Sequence, residues 1–343
     1  MKKILLATSI LAATTGYAAA EVALTGDARM GVVYDGNDVQ FSSRARVRFN
    51  LSGQTDTGLE FGATFRADHA GGSAGGSWNG RSSDKLGNVW ISGAFGKLAM
   101  GDVNSAAEEA FGDLSAVGYT GLADFTDITY IVGDEGPERE QGPGALYSYS
   151  TGAFEFHLGL SDGNLPSEYT GNVGVEDGAD RDVVYSVAAA YNADTFKVGI
   201  GYIDAGDNDV NAYGGSQLTV YGSTDVSGFG LKAFYSDYDD YAADNWFGDI
   251  NDTESALLAG AELDKSYGLS VDYDFGATTV TGFARRDEVT RPAASVLATD
   301  YDSFGIGAKY DLGGGASFNA GLVNTDHIGD GETIADVGVK LSF

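Results

Sequence analysis

Cysteine is absent from the 343 residues, and only 4 are proline and 3 histidine. The missing thiols exclude disulfides, thiolate zinc sites, iron–sulfur clusters and cysteine nucleophiles together. Basic residues are scarce as well, with 20 Lys and Arg against 50 Asp and Glu and a net charge of −30. Nucleic-acid backbones need clustered Lys and Arg to displace counterions, so they are excluded as partners. Long apolar runs are missing too. The most apolar stretch, Ile4 to Ala13, falls short of the ~20 residues a helix needs to cross a bilayer. What the chain does hold is 43% apolar residues, with 3 Trp, 19 Tyr and 18 Phe. That is too rich for a disordered polymer and points to a folded, β-rich object.

The start of the chain reads as an export signal. Lys2 and Lys3 precede the apolar stretch, which is followed by Ala18-Ala19-Ala20. Charge, short apolar core and small residues make a secretory signal peptide over residues 1–20, with cleavage expected after Ala20. Residues 21–343 remain as a single domain.

From Glu21 onward the dominant pattern is alternation with a period of two. Ala45, Val47, Phe49 and Leu51 alternate with Arg44, Arg46, Arg48 and Asn50. Phe154, Phe156, Leu158 and Leu160 alternate with Glu155, His157 and Ser161, and the pattern returns through Val337, Val339, Leu341 and Phe343. Sixteen such runs begin near residues 22, 41, 58, 84, 95, 145, 153, 182, 194, 215, 228, 264, 277, 301, 315 and 333. Short connections alternate with mostly longer ones rich in acid, Gly and Asn, and all four prolines sit in the long set. An even strand number, sorted loop lengths and strands free of proline predict an all-β fold. The expected architecture is a 16-stranded antiparallel transmembrane β-barrel with short periplasmic turns and long external loops. Tyr34, Tyr202, Tyr235, Tyr273 and Tyr310 sit at strand ends, where such barrels carry aromatic girdles. A soluble β-solenoid or lectin-like sandwich is the competing fold. Glycines within strands (Gly159, Gly199, Gly201, Gly305, Gly307) suit twisted strands or crowded walls, with sequence drift as the bland alternative.

If the apolar positions face lipid, Arg29, Arg44, Arg46, Arg48 and Arg66 project inward as one basic patch. Lys197, Lys232 and Lys309 are weaker inward candidates for a solute track. The longest connection, about 103–144, carries Glu108, Glu109, Asp113, Asp124, Asp127, Asp134 and Glu135 as counter-charges.

Several segments resemble the Rhodobacter-type general porins. They include the mature start from Glu21 to Tyr34, Phe41 to Phe49, Ser92 to Asp102, Phe111 to Leu114, Val117 to Tyr119, Tyr267 to Asp272, Phe275 to Val280, Tyr310 to Ala316 and the terminus Ala335 to Phe343. The resemblance implies an outer-membrane homotrimer among lipid and lipopolysaccharide, passing small hydrophilic solutes and ions. It also implies that the third long loop folds into the lumen. There the acids would face the Arg patch across a water-filled eyelet, or the arginines would pair with them to pin the loop. No cofactor is required. The family makes Ca²⁺ a candidate structural ion, for which Asp204, Asp207 and Asp209 offer hard oxygen ligands; a merely solvated acidic loop is the alternative.

Three other functions compete. An outer-membrane hydrolase would need an oriented His, and His69, His157 and His327 show no pairing motif. A solute-specific porin and a non-conducting adhesin or receptor barrel remain open. The acidic charge predicts a cation preference at the mouth.

Overall fold

The computed structural model describes residues 21–70, 87–122, 124–131, 144–161, 183–206, 214–242, 261–290, 300–326 and 331–343. Five strands come first: β1 (Glu21–Tyr34), β2 (Val39–Gln54), β3 (Glu60–Ala70), β4 (Gly87–Gly93) and β5 (Gly96–Gly101). A short helix, α1 (Ala106–Phe111), precedes β6 (Gly144–Thr151), β7 (Phe154–Ser161), β8 (Val184–Asn192), β9 (Phe196–Asp204) and β10 (Ser216–Val226). The last six are β11 (Phe229–Asp239), β12 (Glu262–Phe275), β13 (Thr278–Thr290), β14 (Asp300–Gly313), β15 (Ala316–Thr325) and β16 (Glu332–Ser342). Each strand pairs antiparallel with its sequence neighbours, and β1 closes on β16 in one barrel. Closure removes every open edge. Phe343 completes the seam, its N–H donating to the Gly26 carbonyl at 2.8 Å and its own carbonyl accepting from Gly26 at 3.2 Å.

The alternation sorts the side chains in the opposite sense to a water-soluble protein. Outward positions such as Phe41 (96% exposed), Leu158, Ile200, Leu269 and Ile306 are bare, whereas inward Gln217, Ser236, Ser266, Ser270 and Thr325 are buried. Apolar side chains left open in water would cost roughly 25 cal/mol per Å². The exposed band is therefore stable only against hydrocarbon. Aromatic rings edge it. Phe229 and Tyr273 lie 4.4 Å apart towards the short turns, and Tyr235 and Tyr267 lie 6.2 Å apart towards the other end. The six residue steps from Tyr267 to Tyr273 span ~20 Å of strand, close to the height of an apolar band.

All sixteen strand starts agree with the alternation to within three residues. The sorting of loop lengths does not hold everywhere. The β1–β2 connection is only residues 35–38, as short as the turns on the opposite rim. Asp35 makes it tight, accepting from Asn37 N at 2.9 Å and Asp38 N at 2.7 Å. These backbone donors hold its carboxyl below the usual aspartate range.

Candidate functional site

The described residues between β5 and β6, 102–122 and 124–131, lie inside the barrel. Their first turn is α1, started by Ser105, whose Oγ accepts from Glu108 N at 3.2 Å, and ended at Gly112 with φ +61°. Ala106, Ala107, Ala110 and Phe111 are buried, and α1 packs on β7, β8 and β9. Bare backbone on the wall makes room for it. A Cβ at Gly201 would come within 2.6 Å of Ala107 Cβ, and one at Gly199 within 3.0 Å of the Phe111 ring. The crowded-wall reading of the strand glycines thus describes these positions.

Beyond α1, wall side chains bond to the backbone of the inner segment. Lys232 Nζ donates to the Asp113 carbonyl at 2.8 Å, and Ser270 Oγ accepts from Ser115 N at 3.0 Å. On β16, Asp336 accepts from Tyr119 N at 3.1 Å, Thr120 N at 2.7 Å and Thr120 Oγ1 at 2.6 Å. On β13, Arg285 donates to the Asp127 carbonyl and, at 2.8 Å, to Thr129 Oγ1. Asp287 holds that guanidinium at 2.9 Å, and the pair is almost wholly buried. Gln217 takes Ile131 N at 3.0 Å and gives its amide to the Thr129 carbonyl at 2.8 Å. Such bonds give backbone groups of these stretches partners on the wall.

Between the Asp336 and Arg285 contacts the chain reverses sharply. Gly121, Leu122 and Asp124 have φ of +95°, +50° and +56°, and Asp127 N donates to the Asp124 carbonyl at 2.8 Å. Asp124 stands at the reversal within the field of Arg29, Arg44, Arg46 and Lys340. Asp124 is an exposed residue, yet partial desolvation by the surrounding barrel raises its carboxyl above the usual range, with those four cations opposing the shift.

The strand registers set the arginines of β1, β2 and β3 beside one another. Arg29 is in register with Arg44 on one side and Lys340 on the other, and Arg48 with Arg66. Residues so paired have Cα atoms ~5 Å apart, close enough for like charges to need relief. Asp27, an inward residue of β1, supplies part of it through an ion pair with Arg44 at 3.5 Å. Arg29 Nη1 donates to the Thr120 carbonyl at 2.8 Å, so this arginine both belongs to the patch and pins the inner segment.

The described acids of the loop are spread rather than gathered opposite the patch. Asp124 has electrostatics that involve Arg29, Arg44 and Arg46 together. Glu108 and Glu109 lie on α1 against β7, β8 and β9, on the far side of the barrel from β1 and β2. Asp113 braces the segment internally, accepting from Ile128 N at 2.8 Å. Asp127 lends its backbone carbonyl to Arg285. Asp134 and Glu135 lie outside the described residues, as do Asp207 and Asp209. Asp204 accepts from its neighbour Gly206 N at 3.1 Å. Among the described residues no group of three or more His, Asp or Glu is arranged to hold a metal.

His157 is buried with Nδ1 2.9 Å from Ser148 Oγ, and Lys197 pairs with Glu155 at 3.0 Å. Sequence reasoning missed Asp336, Arg285, Asp287, Gln217, Lys340 and Asp27. Each occupies an inward position of an alternating strand, so the signal was present but was read only where basic residues cluster.

Comparison with known proteins agrees with this architecture. A family model described as Gram-negative porin matches residues 7–329. The chain belongs to the Gram-negative porin family. It is 41% identical over 335 residues to a porin of Rhodobacter capsulatus, covering 94% of this chain and all of that one. A porin of Fuscovulum blasticum is 26% identical over 345 residues, again covering 94% of this chain and all of the relative. A porin structure refined at 1.8 Å superposes with a TM-score of 0.73 at 39% identity, over 94% of this chain and 100% of the other. The recognition of a Rhodobacter-type porin and the sixteen-stranded barrel both stand.

Proposed function

We propose that this protein is a general diffusion porin of the bacterial outer membrane, passing small hydrophilic solutes and ions through a water-filled lumen. The observation that carries the reading is an inner segment that brings Asp124 to the Arg29, Arg44 and Arg46 wall inside a closed barrel. A carboxylate facing guanidinium groups sets a field across the lumen. Polar solutes align in it, and apolar ones lose ordered water without compensation, so passage is limited by size and polarity. The acidic total favours cations at the mouth. The work is passive and needs neither catalysis nor a cofactor.

In this reading residues 1–20 are removed on export, and residues near 103–144 form the constricting loop. Three barrels assemble as a trimer amid lipid and lipopolysaccharide. Ca²⁺ at the loop around Asp204, Asp207 and Asp209 is part of the same proposal, tested by calorimetric titration of the trimer with CaCl₂ before and after chelation.

The deciding experiment is single-channel recording in a salt gradient, comparing the mature protein with a triple Arg44→Ser, Arg46→Ser, Arg48→Ser variant. Conductance steps in threes, with a raised cation preference in the variant, are expected. Silence from well-folded trimers would overturn the reading in favour of an adhesin or receptor.

A further inference from the structure

The side chain that decides where the Asp124 carboxylate stands is not itself in the solute path. Asp336 is 5% exposed and belongs to β16, in register with Gly321 of β15 on one side and Val33 of β1 on the other. Around it the wall is stripped to backbone. Gly307 and Gly321 face each other across β14 and β15, and Gly31 and Gly338 across β1 and β16. A Cβ on Gly321 would come within 2.6 Å of Gly118 Cα, and one on Gly338 within 2.9 Å of the Tyr119 ring. Residues 117–119 therefore lie directly on the strands, and Tyr119 is wholly buried.

Beside this bare saddle a short aspartate reaches the backbone of the inner segment, and Asp336 does so with both oxygens. Further along, Arg285 donates to the Asp127 carbonyl, and between the two, Leu122 and Phe125 are buried with Phe283, Val323 and Ile334 of the wall. Asp124 thus sits four residues after one anchor and three before the other, at the tip of a reversal that the two anchors bracket.

We infer that Asp336 is a positioning residue for ion selectivity, fixing Asp124 opposite Arg29, Arg44 and Arg46 by clipping the backbone at residues 119 and 120. The inference rests on the diffusion-channel reading. Its chemistry is electrostatic. Three donors converge on one buried carboxylate, whereas a neutral side chain would leave the two N–H groups searching for partners. Arg29 still holds the Thr120 carbonyl when this clip is lost, so the backbone at residues 119–122 shifts rather than detaches, and the Asp124 carboxylate moves off its place before the guanidinium wall.

The test is the cation-over-anion permeability ratio of Asp336→Ala in planar bilayers, measured alone and on an Asp124→Asn background. Doubling the distance between the ion path and one unit charge in water should lower the ratio about twofold. On the Asp124→Asn background the same change should alter nothing further, because Asp336 acts through Asp124. A purely structural role would instead give equal effects on both backgrounds and would overturn the inference, as would an unchanged ratio in Asp336→Ala alone.

Should Asp336→Ala fail to fold, a Thr120→Cys, Asp336→Cys pair serves, since the chain has no other cysteine and the two side chains already touch at 2.6 Å. Oxidised channels should show the native ratio and reduced ones the lowered ratio. Identical ratios in both states would overturn the inference. A wild-type trimer that does not conduct would remove the diffusion-channel reading itself, an outcome separate from either.

Discussion

Asp124 shows how far a single carboxylate can be set by its surroundings. Partial desolvation by the surrounding barrel raises its proton affinity while Arg29, Arg44, Arg46 and Lys340 pull the other way, and the desolvation prevails although the residue is exposed. It therefore takes up a proton at a higher pH than the ordinary 3.8, and the cation preference of the channel should begin to fall while ordinary aspartates are still charged. An Asp124→Asn variant should lower the cation-over-anion ratio at neutral pH ~2–3-fold, the scale of one unit charge a few Å from an ion in water. It should also lack the early acid response, a comparison that reversal potentials across a pH series will make. The sign for stability is opposite to that of an ordinary paired carboxylate. The folded state binds this proton more tightly than the unfolded one, so stability attributable to Asp124 rises as pH falls through the window just above 3.8. Arg285 and Asp287 behave differently, being buried and mutually paired. Arg285→Ala removes the guanidinium that pairs with the buried Asp287 and should cost about 3–5 kcal/mol. Arg285→Met with Asp287→Leu should recover most of that in guanidinium unfolding while loosening residues 127–129.

At the scale of elements, the fold is a contest for space on the inner wall. β-strands with alternating patterns place every second side chain inside, and a loop can lie against them only where those side chains are missing. Gly199 and Gly201 admit α1, and Gly307, Gly321, Gly31 and Gly338 admit residues 117–119. Gly321→Val should therefore leave a folded barrel but displace the loop, since its side chain would meet Gly118 Cα. Altered and noisier single-channel conductance with an unchanged far-ultraviolet spectrum is the expected result. The strands themselves were legible because a period of two is a local property of the chain. The loop was not. Its acids were grouped by sequence proximity, yet Glu108 and Asp124 end on opposite parts of the wall because the segment travels from β7 to β1 between them. Hydrogen bonds such as Ser115 to Ser270 join residues 155 positions apart, and no local pattern announces them.

The whole molecule is held by two solvents. Its outer face is an apolar band that needs hydrocarbon, and its inner face is a polar network that needs water or a loop to satisfy it. A charge placed on the band tests this division. Ile306→Arg, between Phe304 and Ala308 on the outward face of β14, should destabilise the inserted barrel by about 2–4 kcal/mol. An inward Thr281→Ser should cost little, and refolding titrations in lipid will compare the two. The net charge of −30 acts at this scale as well. Its contribution to cation preference should shrink as the Debye length falls from ~30 Å in 0.01 M salt to ~3 Å in 1 M. A preference that survives at 1 M salt would belong to the constriction instead.

Strand number, pairing order, the lipid-facing set and the existence of an inward arginine patch were determined by the sequence alone, because each follows from alternation and chain order between neighbours. Which carboxylate meets that patch, which glycines yield the space and which wall residues hold the inner segment were decided only by the closed barrel. Closure brings β16 beside β1 and thereby sets Asp336, Arg29 and Thr120 in one place. Such contacts between distant parts of the chain leave no period in the sequence, since their geometry exists only once the last strand has met the first.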